Sequence, residues 1–136
     1  MNTSLLARST AIVPRTPAAD YSSSDGHLVD LSSGTATIST SATTPAKGII
    51  LEGNRSSAGY ASETVSIGIL GALTGTVRMR ASGTIAKDAL VQQSSNGTVI
   101  TDAESGARVI VGVAMEDGIS GENIEVAPIA PRIIPS

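Results

Sequence analysis

The chain has no cysteine, no tryptophan and no phenylalanine, and its 136 residues include two tyrosines and one histidine. Without cysteine there is no disulfide, no thiolate nucleophile and no cysteine-based metal site, and nothing demands an oxidising compartment. The aromatic shortage bears on stability. Aromatic side chains bury roughly 150–250 Å² each and dominate most cores, so Ile, Val, Leu and Ala must supply the burial here. A unit of about 100 residues built that way is marginal alone, and oligomerisation is a common remedy. An assembly is therefore expected.

Long apolar runs are missing too. No window approaches the roughly 18 consecutive apolar residues of a membrane span. Arg8 and polar residues interrupt the opening MNTSLLARSTAIVPRTP, which lacks the apolar stretch of a signal peptide. The expectation is no membrane partner and a protein that stays in the compartment where it is made. A net charge of -3 argues against a nucleic-acid binder. The charge is uneven, however. Residues 101–125 hold Asp102, Glu104, Glu116, Asp117, Glu122 and Glu125 against Arg108 alone, while the first nineteen residues carry Arg8 and Arg15 and no acid. Such asymmetry can steer a surface to a partner.

Chemistry-bearing patterns are equally scarce. The single histidine, His27, has no second histidine at metal-ligand spacing, so it reads as a surface polar residue. Glu116 and Asp117 are adjacent, and a strand would point them to opposite faces, which does not suit a glycosidase pair. The acidic, Gly-containing DAESG and EDGISGE do not keep the twelve-residue register of an EF-hand. No Gly-rich phosphate loop occurs. No catalytic, cofactor-binding or metal-ligating residue is assigned, no cofactor is expected, and the chain reads as no enzyme.

What is present is β pattern. Residues 1–46 are more than half Ser, Thr, Ala and Pro, a composition poor in the large apolar groups that offset ordering entropy. Short β-capable pieces interrupt it: TAIV (10–13), HLVDL (27–31) and TATIS (35–39). This region is expected to be an extended arm that adds strands to a neighbour. Residues 47–136 are expected to form the folded domain. In ETVSIGIL, Val65, Ile67 and Ile69 share one face; in TVRMRA, Val77, Met79 and Ala81 alternate with Arg78 and Arg80. ARVIVGVAM sets Val109, Val111, Val113 and Met115 on one side and reads as a central strand. ENIEVAP places Ile124 and Val126 inward and Glu125 outward. Asn96-Gly97 fits a type I′ hairpin, whose two central residues need positive φ. The expected fold class is all-β: a small barrel or sandwich with an extended N-terminal arm.

The segments AKGIILEGN, GTVRMRASGTIAKDALVQQSSNGTVI and GARVIVGVAMEDGISGENIEVAP, within residues 46–128, resemble the small trimeric β-barrel cement, or head decoration, proteins of phage capsids. The chain departs from that family's run at Lys87-Asp88, where Gly-Asp is usual, and at Asp117-Gly118. The resemblance implies a homotrimer on the outer surface of an icosahedral virion, made in the host cytoplasm. It would sit at three-fold and quasi-three-fold sites and cement neighbouring major capsid protein subunits. Leu5, Leu6, Ile12 and Val13, flanked by Arg8 and Arg15, are the candidate capsid contacts in the arm. Two other readings compete. One is a tail or minor head structural protein. The other is a β-clip-like module for a small molecule or carbohydrate, suggested by SGTIAKDALV (82–91).

Overall fold

The structure is a computed structural model that describes residues 11–136. Strands β1 (Ile12–Pro17), β2 (Leu28–Ser32), β3 (Thr35–Ile38), β4 (Gly48–Glu52) and β5 (Val65–Ile69) close into a barrel in the order β1-β3-β2-β4-β5. Strands β6 (Val77–Arg80), β7 (Leu90–Gln93), β8 (Val99–Thr101), β9 (Arg108–Ala114) and β10 (Asn123–Ile134) form a second sheet in the order β6-β10-β9-β7-β8. A single parallel bridge, Ala81 to Val99, joins the two edges of that sheet. The all-β barrel expected from the alternation is found.

The extended arm expected over residues 1–46 is not found in residues 11–46. Their β-capable pieces supply β1, β2 and β3, three of the five staves of the closed barrel. The neighbour to which they add strands is the rest of their own unit. Closure is what lets so polar a segment fold, because a closed ring leaves no unpaired sheet edge and a narrow barrel needs few large side chains. Val13, Val29, Ala36, Ile50, Val65 and Ile67 fill it, with Tyr21 as the one aromatic ring. The Tyr21 hydroxyl accepts the Ile38 N–H at 3.0 Å. The chain passes from the barrel to the second sheet between Ile69 and Val77.

The two sheets are strand-for-strand equivalents, with β1 to β5 matching β6, β7, β8, β9 and β10 in chain order. Parallel pairing of Pro17 with Ala36 corresponds to the bridge of Ala81 with Val99. The Val29–Gly48 pair corresponds to Val91–Gly112, and Ile49–Gly68 to Val113–Ala127. The turn before β2 has Gly26 at φ 90°, and the turn before β7 has Asp88 at φ 73°. Both residues donate N–H at 2.8 Å to matched carbonyls, Ile50 and Ala114. Sequence follows: LVDLSSGT (28–35) stands against LVQQSSNGT (90–98).

Asn96 and Gly97 adopt φ of 59° and 70°, as the hairpin reading requires. The tip has a second task. A Cβ on Gly97 would lie 2.6 Å from the Leu28 carbonyl oxygen, so the β7–β8 hairpin closes directly onto β2 of the first unit.

β9 is central, between β7 and β10, but its faces differ from strict alternation. Val109 and Val111 are buried with Ala114, while Met115 is exposed. The cause is a register shift opposite Val111, between Val91 and Gln92. One extra residue in a strand exchanges the two faces beyond it. β10 keeps Ile124 and Val126 inward and then runs on to Ile134 through Pro128 and Pro131. Those prolines are tolerated because β6 pairs only with Asn123–Val126, leaving one flank of the later strand without a ladder.

Candidate interaction surface

Of the candidate contacts, Leu5, Leu6 and Arg8 lie outside the described residues. The other three stand on β1, where alternation separates them. Ile12 faces outward and is 46% exposed, whereas Val13 is buried in the barrel interior. Arg15 is half-buried, its Nη1 donating to the Pro14 carbonyl at 2.7 Å. They do not form one patch.

The acidic stretch serves mainly as loop caps. Asp102 accepts from Arg108 Nε and from the Glu104 N–H; Asp117 accepts the Lys87 N–H at 2.7 Å; Glu122 accepts the Ile119 N–H at 2.9 Å. Burial pushes the Asp102 carboxyl up, but the Arg108 guanidinium and the Glu104 amide hold it below its usual range. Glu116 accepts the Glu125 N–H at 3.0 Å and pairs with Arg78 at 3.7 Å. Among the described residues no group of three His, Asp or Glu side chains is placed to hold a metal ion.

His27 is not the surface residue its sequence context suggested. It lies half-buried at the seam between the units, with Nδ1–H donating to the Ser24 carbonyl at 3.0 Å. Burial pushes its pKa down, and the nearby Arg80 guanidinium adds to that. Around it, Arg80 donates Nε to Asn123 Oδ1 at 2.7 Å and its backbone N–H to the Gly26 carbonyl at 2.9 Å. A groove of 410 Å³ follows the same seam, lined by Asp25, Thr76, Arg78, Asn123 and Glu125 among others. Its polar groups are already engaged: Thr76 Oγ1 donates to Glu125 at 2.8 Å, and Asn123 Nδ2 donates to the Asp25 carbonyl at 3.1 Å. No buried side-chain nitrogen or oxygen among the described residues lacks a partner.

On the outer face of β7, β9 and β10, Leu90 pairs with Val113, and Val113 with Ala127, in one row across three strands. Met115 and Ile129 extend that row along the strands, and both are exposed. Arg78, Glu116 and Glu125 lie at its margin, on β6, after β9 and on β10. Contiguous exposed apolar surface with a polar rim is the usual mark of an interaction site. Sequence alternation had set Val113 and Met115 on the same side as Val109 and Val111. Only the register shift in β9 turns them outward.

Together these features define a class: an all-β scaffold of two like units whose described buried side-chain polar groups are satisfied internally and whose β7-β9-β10 face is apolar and open. Among solved structures the fold is similar to the head fiber gp8.5 N base in bacteriophage phi29, with a TM-score of 0.63 and 11% identity. The match covers 89% of this chain and 95% of that one, and at such identity the likeness is one of fold. No protein-family model and no curated protein matches the sequence.

Proposed function

We propose that this chain is a structural protein of a phage head, acting by contact and not by chemistry. The observation that carries the reading is the fold likeness to a head fiber base, which spans nearly the whole of both chains. The resemblance of residues 46–128 to capsid decoration proteins points to the same particle by a separate route. In this reading the chain is no enzyme, takes no cofactor, and engages neither nucleic acid nor membrane. It binds the outer capsid surface as trimers at three-fold and quasi-three-fold sites and clamps neighbouring major capsid subunits. Many modest contacts repeated over a shell stabilise it by mass action and multivalency. A body whose described residues form ten strands with every buried side-chain polar group partnered suits that task, because a rigid partner loses little entropy on docking.

Quantitative mass spectrometry of purified particles tests this. A copy number that is a simple fraction of the major capsid protein supports the decorating role. A handful of copies per particle moves the chain to the tail or to a minor head position. Its absence from particles ends the reading.

A further inference from the structure

The unit equivalence assigns a partner to the open apolar face. In the first unit the matching row is Leu28, Ile49 and Gly68, in the same register as Leu90, Val113 and Ala127. Leu51 stands where Met115 does, and Leu70 where Ile129 does. All of these lie on the outside of the first barrel, since Val29, Ile50 and Ile67 alternate with them into its interior. Yet Leu28 and Ile49 are 0% exposed and Leu70 is buried, because this face packs against the core of the second unit. In the second unit Leu90 is 44% exposed, Met115 39% and Ile129 38%. One face of the fold is thus used twice, covered once and open once. Where it is covered, the cover is a unit of the same fold.

We propose that the Leu90–Val113–Met115–Ile129 face is covered by a second copy of this chain, meeting the same face around a rotation axis. The side of the second unit that covers the first is already occupied within each chain. Like faces turned towards a common rotation axis are therefore the surfaces that remain, and closed rotational symmetry of this kind, in two or three copies, is usual in homo-oligomers. The rim agrees. Arg78 and Glu116 form an exposed pair at 3.7 Å, so opposite charges stand side by side where two rims meet and each finds its opposite across the axis. A core with a single aromatic ring, Tyr21, gives the same direction, since burying this face adds apolar area that the chain alone does not bury. The inference deepens only the self-assembly part of the proposed function and stands without the virion reading.

Light scattering on the full chain after size exclusion, at about 100 μM, where a contact of roughly 10 μM Kd is mostly formed, gives the first readout. The expected result is a mass of two or more chains for the unmodified protein. Leu90→Asp and Met115→Lys, each at an exposed position, are expected to bring it to one chain while the circular dichroism spectrum and melting temperature hold. Because the chain has no cysteine, Met115→Cys offers a second measurement. A short bis-maleimide is expected to link two chains through it, and not through Ser57→Cys on the exposed β4–β5 loop of the first unit. A protein that stays at one chain, or an oligomer whose mass neither charged variant changes, overturns the proposal. So does linkage through Ser57→Cys alone. A chain missing from particles that still self-associates through this face leaves the proposal standing and removes only the virion reading.

Discussion

The side-chain amide of Gln93, on β7 of the second unit, accepts the backbone N–H of Ala46 at 3.0 Å and donates to the Thr44 carbonyl at 2.8 Å. A further bond at 2.7 Å reaches the Ser41 carbonyl. Gln93 is fully buried, and the loop it holds leads from β3 to β4 in the first unit. One amide therefore holds the turn over residues 41–46 at the end of the Ser/Thr-rich region.

Gln93→Leu is expected to leave that N–H and two carbonyls without partners inside the seam. Unsatisfied buried groups cost about 1–3 kcal/mol each, so a loss of about 3 kcal/mol is expected in urea unfolding. Gln93→Glu keeps the shape but sets a carboxylate against two carbonyls, and is expected to be no better. A change under about 1 kcal/mol for Gln93→Leu would show that water replaces the amide.

The two hairpin glycines offer a matched comparison. Gly34 and Gly97 occupy the same turn in the two units, at φ of 82° and 70°. A Cβ on Gly34 meets nothing within 4 Å, while one on Gly97 would lie 2.6 Å from the Leu28 carbonyl oxygen. Alanine at either position meets the left-handed penalty of about 1 kcal/mol. Only Gly97→Ala must also part the two units, adding about 1–3 kcal/mol. Thermal melts of the two variants are expected to differ accordingly, with equal shifts counting against a tight seam.

Tyr21 carries the aromatic burial of the first barrel and one hydrogen bond. Tyr21→Phe keeps the ring and strips the Ile38 N–H of its acceptor, with an expected cost of about 1–2 kcal/mol. Tyr21→Ala also opens a cavity and is expected to cost about 3–5 kcal/mol. Amide exchange at Ile38 is the specific readout, and it is expected to quicken in Tyr21→Phe while core amides elsewhere stay protected.

His27 sets a pH dependence with a definite sign. Its folded pKa lies below the ordinary 6.5, because burial outweighs the opposing hydrogen bond to Ser24 and the Arg80 charge adds to the lowering. The unfolded chain therefore takes up the proton more readily, and stability falls as pH drops below the unfolded value. Above about pH 7 this contribution is complete and flat. Melting temperature is expected to decline from about pH 7 to 5 in the natural sequence, and to decline less in His27→Gln. Parallel curves would mean that another group carries the slope.

Much of the local structure was legible along the chain. Val77, Met79 and Ala81 face inward with Arg78 outward because a pleated strand alternates, and Asn96-Gly97 turns because those two residues enter positive φ at low cost. The repeat was legible as well, in LVDLSSGT and LVQQSSNGT, although a one-residue offset at Asn96 hides it from a fixed-period reading. The candidate surface was not. Val113 and Met115 face outward only because β9 slips against β7, and no local pattern in β9 announces that slip.

Leu28-Val29 and Leu90-Val91 mark the boundary between the two kinds of information. Each dipeptide lies in a strand of the same register, with its valine inside and its leucine outside, and that much follows from side-chain alternation. Leu28 is sealed and Leu90 is open because only the first unit has another unit packed over its outer face. Strand identity and inward face are short-range properties of the polypeptide. Which outer face becomes an interface depends on what the whole fold brings against it.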